Sequence, residues 1–379
     1  MAPEARTSGW YRILSWLVLA AALYALLVAV GVVGKGFRLA FGGAEGVGAL
    51  FEFATNPFIG LVLGILATAL IQSSSTVTSI IVGLVAGGMP IAMAIPMVMG
   101  ANVGTTVTNT LVSFGHLKRP AEFRKAFAAA TVHDFFNLLS IAIFLPLELA
   151  FGLLEKMSGA VGHAVESIGT VDAGGKGVFN TVIGAGTEFV ESLTAPLPDV
   201  WAGSVLIVGG IALILVSILY LGNALKTVFV GRARRILQAA VARGPVTGIC
   251  SGTLVTVLVQ SSSTTTSIIV PLAGSGVIGL RHAYPFTLGA NIGTTVTALL
   301  AATAIVGPTH AVAHQIAIAH FLYNLLGVAV IYSIPWLREI PIAGAEWIAR
   351  LGSERKWAAM AYILSVFFGI PGALVYVTA

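Results

Sequence analysis

Residues 72–82 read QSSSTVTSIIV, and residues 260–270 read QSSSTTTSIIV. Ten of the 11 positions agree, 188 residues apart. Working outward, residues 100–108 read GANVGTTVT and residues 289–297 read GANIGTTVT, with eight of nine matched at a separation of 189. His133 and Asn137 then find His320 and Asn324 at a separation of 187. Three blocks in one order at near-constant spacing define a duplicated unit of roughly 80–95 residues, and a repeat governs the architecture before any single element is read.

The surroundings of these blocks are apolar. Of 379 residues, 57% are hydrophobic and only 9% are charged, against about 25% charged in ordinary soluble domains. Residues 13–33 carry no charge over 21 positions. That exceeds the roughly 7–15 residues of a signal-peptide core, so the run reads as an uncleaved membrane helix. Further apolar stretches lie near 57–88, 89–114, 131–151, 201–223, 245–276, 283–306, 311–335 and 357–378. The single cysteine, Cys250, excludes an internal disulfide and a cysteine metal cluster. The net charge of +5 is loop charge in a membrane chain and does not point to nucleic acid.

Positive charge gathers at Lys118, Arg119, Arg124 and Lys125, at Lys226, Arg232, Arg234, Arg235 and Arg243, and at Arg338, Arg350, Arg355 and Lys356. The positive-inside rule makes these segments cytoplasmic, with the N-terminus (Arg6, Arg12) on the same side. The acidic 152–199 stretch, with Glu155, Glu166, Asp172, Glu188, Glu191 and Asp199 beside Lys156 and Lys176, is then external. Lys35 and Arg38 fall outside, against the rule. The first unit starts outside and the second inside, so the two are expected to be inverted. Each must cross an odd number of times, most simply by a re-entrant hairpin at QSSST followed by one crossing through GANxGTT. Gly87, Gly88 and Pro90 close the first hairpin, and Gly274, Ser275 and Gly276 the second. The fold class is therefore an all-α integral membrane protein with two inverted-topology repeats, each holding a re-entrant helical hairpin and a broken transmembrane helix. Its expected divisions are 1–50, 51–151 (repeat 1), 152–200, 201–244, 245–337 (repeat 2) and 338–379.

Serines at a hairpin tip stand at the start of the returning helix, where free N–H groups, hydroxyls and the positive dipole end favour an anion. The anion set is Gln72, Ser73, Ser74 and Ser75 with Gln260, Ser261, Ser262 and Ser263, joined by Asn102 and Asn291. Two such tips would enclose a tetrahedral oxyanion. Serines that merely bond between helices are the plain alternative. GANxGTT combines glycines with asparagine and threonine oxygens. Thr105, Thr108, Thr294 and Thr297 suit a hard cation such as sodium, and the same residues also make a small-residue packing face. Asp134, in an apolar helix, reads as a cation or proton site, or as half of a pair with His133 or a cytoplasmic arginine. Repeat 2 has Phe321 at that place. His133 and His320 read as helix-packing donors. No Lys or Arg lies in either motif, so a bound anion needs co-bound cations and backbone dipoles. That requirement joins the motifs into cation–anion symport.

QSSST paired twice with GANxGTTVT, together with the 131–137 run TVHDFFN, resembles the type II sodium-dependent phosphate cotransporter family over about residues 50–150 and 240–335. The resemblance implies sodium-driven phosphate uptake through alternating access, with the tips holding phosphate and sodium. It implies a sodium site at Gln260, Thr294 and Thr297, with Ser263 and Asn137 in the sodium set, and an additional sodium at Asp134. No cofactor is implied beyond sodium as the co-transported ion, and the partners are phosphate, sodium and the lipid bilayer. The short linker has no Cys and no N-x-[ST] sequon, which resembles a bacterial member in the inner (plasma) membrane. Another tetrahedral oxyanion, arsenate included, fits the same motif. An ion channel also uses hydroxyl- and carbonyl-lined re-entrant loops. An enzyme does not fit, because G-x-S-x-G and H-E-x-x-H do not occur, and neither does the P-loop G-x-x-x-x-G-K-[ST].

Overall fold

The computed structural model describes the backbone of residues 9–43, 46–47, 56–167, 178–240 and 244–378. Arg6, Asp172, Lys176 and Arg243 lie outside the described residues, as do the side chains of Arg12, Glu166, Lys226, Arg232, Arg234 and Arg235. Among the described residues every regular element is helical. Seven spans are long and apolar enough to cross a bilayer. They are α1 (Gly9–Phe41), the pair α4 (Ile91–Gly104) and α5 (Val107–Ser113), α6 (Pro120–Phe151), α9 (Asp199–Ala240), α12 (Leu280–Ala302), α13 (His310–Ser333), and the pair α15 (Lys356–Leu364) and α16 (Ile370–Thr378). The remaining helices are α2 (Pro57–Ile71), α3 (Ser74–Gly87), α7 (Leu153–Ser167), α8 (Val178–Ser192), α10 (Pro245–Val259), α11 (Ser262–Gly274) and α14 (Pro335–Glu354). All six tryptophans are exposed, and Trp10, Trp201, Trp336 and Trp357 stand within the first three residues of a helix, as interfacial anchors do.

The arms α2, α3, α10 and α11 have 15, 14, 15 and 13 residues. At about 1.5 Å per residue they reach about 20–23 Å, short of a hydrocarbon layer about 30 Å thick. Each pair is joined by a glutamine in the left-handed region, Gln72 (φ 59°) and Gln260 (φ 53°). These are the only non-glycine residues with positive φ among the described residues. A side chain held in that conformation is uncommon, and it recurs at the same motif position in both units.

In lipid the hydrophobic effect does not drive helices together, so close backbone approach through small residues must hold them. The GANxG glycines serve that end. A Cβ at Gly100 would come 2.0 Å from Leu61 O, and one at Gly289 1.9 Å from Ile249 O. Gly104 and Gly293 press in the same way on Thr68 and Thr256, at 2.6 and 2.7 Å from their Cβ atoms. Thus α2 is fastened to α4 and α10 to α12 by the same contact. α1 and α9 pack along each other through Gly36 and Gly203.

The ends of the units are tied at different places. Beside the end of α3, Arg38 donates to Ala86 O (2.7 Å) and to Thr309 Oγ1 (3.2 Å), and Lys35 pairs with Glu191. The two cations that offend the charge rule are thus held by partners. The end of α11 meets the start of α6 instead, with Gly274 against Glu122 and His116, and Gly276 against Lys125. Two amphipathic helices cross over between the units. α7 follows α6 but packs on α13, where Gln315 Nε2 donates to Glu155 O (3.0 Å). α14 follows α13 but packs on α6, with Gly344 against Phe135. In α14 the buried Leu337, Pro341, Ala345, Ile348 and Gly352 recur at helical spacing on one face.

Candidate functional site

Ser73 and Ser261 are the N-caps of α3 and α11. Their hydroxyls accept from Thr76 N (3.3 Å) and Thr264 N (3.2 Å). Capping explains why serine follows each left-handed glutamine: its oxygen satisfies one orphan N–H, and its extended backbone turns the chain into the helix. The glutamines are clasped alike. Thr108 Oγ1 donates to Gln72 Oε1 (2.7 Å), and Thr297 Oγ1 donates to Gln260 Oε1 (2.8 Å). Each glutamine Nε2 turns back to its own helix, to Ala69 O and Val257 O. Between the units, Thr297 Oγ1 lies 3.4 Å from Ser75 Oγ.

Both tips line one cavity of about 270 Å³. Gln72, Ser73 and Thr108 face it from the first unit, and Gln260, Ser261 and Ser263 from the second. The fourth wall is the Ile218–Asn223 part of α9. Among the described residues no Lys, Arg, Asp or Glu lines it. Its positive character comes from hydroxyl donors and the N-terminal ends of α3 and α11, whose aligned peptide dipoles sum to about half a charge each. Ser74, Ser75 and Ser262 are buried and do not line the cavity. Asn223, Thr264 and Ser267 line it, although the motif reading did not select them. Asn223 carries a sequence signal, an amide at the end of an otherwise apolar run.

Asn102 and Asn291, expected at the anion, are held elsewhere. Asn137 Nδ2 donates to Asn102 O (2.8 Å), so its Oδ1 is the atom that accepts from Asn291 Nδ2 (2.8 Å). Asn291 Oδ1 is then left to accept from His133 Nε2. The second unit repeats the chain. Asn324 Nδ2 donates to His320 O (3.0 Å), its Oδ1 accepts from Asn102 Nδ2 (2.9 Å), and Asn102 Oδ1 faces His320 Nε2 (3.3 Å). All six residues are buried. Since a main-chain oxygen only accepts, each chain has one consistent orientation, with the histidine as donor. The two chains brace α6 to α12 and α13 to α4, across the units.

The GANxGTT segment is interrupted only once. α4 ends at Gly104 and α5 begins at Val107, whereas α12 runs unbroken from Leu280 to Ala302. The expected break in the second unit is absent. The break falls at Thr105 and Thr106, whose counterparts Thr294 and Thr295 are helical, so the shared motif itself does not encode it. Thr105 and Thr294 turn their hydroxyls to Ala101 O and Ala290 O (2.9 Å each) and do not reach the cavity. Asp134 is fully buried. Its partner is neither His133 nor an arginine but Tyr362, whose hydroxyl donates to Oδ2 at 2.9 Å.

Fold and site together define a multi-pass helical membrane protein whose duplicated units meet at an uncharged polar cavity. Residues 25–174 and 213–346 match the Na+/Pi-cotransporter family, and the chain belongs to that family. It is 34% identical to sodium-dependent phosphate transport protein 2A of Rattus norvegicus, over 92% of this chain and 65% of the relative. It is 30% identical to sodium-dependent phosphate transport protein 2B of Homo sapiens, over 92% of this chain and 63% of the relative. The chain thus spans about two thirds of the length of these relatives. No solved structure matches it.

Proposed function

We propose that the chain is a secondary active transporter that takes up inorganic phosphate with sodium by alternating access. The observation that carries this reading is the convergence of two capped helix starts and two clasped glutamines on one cavity that no charged residue lines among the described residues. A phosphate dianion there has donors from both units but no fixed counter-charge. Co-bound sodium supplies it, and binding of one ion then depends on the other. Gln260, Thr297 and Ser263 serve a sodium beside the anion, and Asp134 a further one.

The two units are inverted, with the N-terminus cytoplasmic and the protein in the inner (plasma) membrane. The tie of α3 to Arg38 and Thr309 supports this, as does the tie of α11 to the basic start of α6. The cavity reaches toward Val112 and Asn223, at the ends this topology puts inside. The Lys35 and Arg38 bonds close the outer end, an arrangement that supports an inward-facing state. Phosphate uptake into proteoliposomes tests the function. Accumulation is expected with an inward sodium gradient and no nucleotide. Equal uptake with choline in place of sodium overturns it.

A further inference from the structure

Asp134 departs from the equivalence of the units, since Phe321 occupies the matched position. A buried carboxylate needs hydrogen bonds or a cation. Tyr362, on the C-terminal α15 outside the repeated motifs, donates to Oδ2 (2.9 Å). Its ring cannot swing freely: it stacks on Phe135 (centroids 5.9 Å apart) and meets Phe127 edge-on (6.2 Å). Oδ1 is buried without a partner. The Thr106 hydroxyl lies within hydrogen-bond reach of the carboxylate and also of Val103 O (2.8 Å), and its single proton serves one of the two. Thr106 stands at the break between α4 and α5, and when its proton serves Val103 O its lone pairs face Asp134. A buried carboxylate oxygen beside a hydroxyl that can turn its proton away suits a hard cation.

We propose that Tyr362 is a positioning residue for the cation held at Asp134: its hydroxyl fixes Oδ2 so that Oδ1 is left to the ion. The inference rests on the reading of the chain as a sodium-coupled transporter in which Asp134 takes a cation. The carboxylate torsion is intrinsically broad, and the clamped tyrosine removes that freedom. It also makes α15 part of the transport site.

The experiment is a double-mutant cycle of Tyr362→Phe and Asp134→Gly in proteoliposomes, measuring the sodium dependence of phosphate uptake and the charge moved per phosphate. Phenylalanine keeps both ring contacts, and thermal melting checks each variant's fold. Loss of a hydrogen bond to a charged group predicts a rise of about tenfold or more in half-saturating sodium for Y362F, with the phosphate dependence at saturating sodium unchanged. In the Asp134→Gly background, Y362F is expected to have no further effect. Wild-type sodium dependence in folded Y362F overturns the proposal, and so does an equal loss in both backgrounds. If Asp134→Gly itself alters neither sodium dependence nor charge, the cation role of Asp134 fails, and the role of Tyr362 fails with it.

Discussion

The two units share the build of their hairpin tips and differ behind them. Gln72 and Gln260 share a left-handed backbone, Ser73 and Ser261 share a cap, Thr108 and Thr297 share a clasp, and the two His–Asn–Asn chains run alike apart from their last acceptor, Asn102 O in one and His320 O in the other. Behind this layer the first unit has a broken helix and Asp134, where the second has a continuous helix and Phe321. An anion enclosed from both sides calls for the same donors twice. A cation held by a single carboxylate calls for an asymmetric site. On the proposed transport reading, equivalence marks the substrate and its loss marks the coupling.

The largest effect that sharpens this comparison is expected from Ser73→Asp and Ser261→Asp. Aspartate still caps a helix, so the fold is retained while a charge enters the cavity. At about 4–5 Å and an effective dielectric near 20, each like unit-charge pair costs roughly 3–4 kcal/mol, and a dianion nearly doubles it. Phosphate binding to either purified variant should fall by several decades. A loss confined to one tip would end the enclosure from both sides.

Next come Gly100→Ala and Gly289→Ala. Each Cβ meets a main-chain oxygen at 2.0 or 1.9 Å, and backbone yields less than side chain. Each should cost about 3 kcal/mol, the upper end of overpacking penalties. Melting temperatures in detergent should fall by similar amounts, and clearly unequal losses would break the equivalence of the two helix pairs.

A smaller effect separates the clasps. Thr297 is buried and bridges to Ser75, whereas Thr108 is half-exposed at the cavity. Thr297→Val should weaken sodium-dependent phosphate uptake by about 1 kcal/mol, roughly fivefold, and Thr108→Val by less. The reverse order in sodium titrations would move the coupling cation to the first unit.

The smallest effect concerns the crossed amphipathic helices. Both Arg281 guanidinium N–H groups donate to Glu339 of α14 at 2.6 Å. These bonds hold the Glu339 carboxyl below the usual carboxylate range. Its contribution is present above the ordinary glutamate pKa and is lost as pH falls through the depressed value. Exposed pairs contribute about 1 kcal/mol or less. Glu339→Gln should lower the melting point slightly at pH 7 and not at strongly acid pH, while an equal difference at both would remove the ionic explanation.

Much of this was legible in the sequence because it is local. Hydropathy marks spans, and duplication of QSSST marks both tips and the turn of each serine into a helix start. GANxGTT reads as an oxygen-rich cation segment or as a small-residue packing face, and its glycines fasten helix to helix. That choice depends on what lies opposite, which the motif does not contain. Asn102 and Asn291 were assigned to the anion by their motif, yet their amides are taken up by partners on other helices.

The sequence alone determined an apolar, duplicated, helical membrane chain with two serine-rich tips and one asymmetric acid, since periodicity and repetition are properties of contiguous residues. Only the tertiary structure decided the partners. The Tyr362–Asp134 bond joins residues 228 apart, the Asn102–Asn324 bond 222, and the Asn291–Asn137 bond 154. The crossing of α7 and α14 onto the opposite units is of the same kind. Such contacts follow from how whole helices dock, through small residues that permit close approach, and no local pattern along the chain encodes which helix will be met.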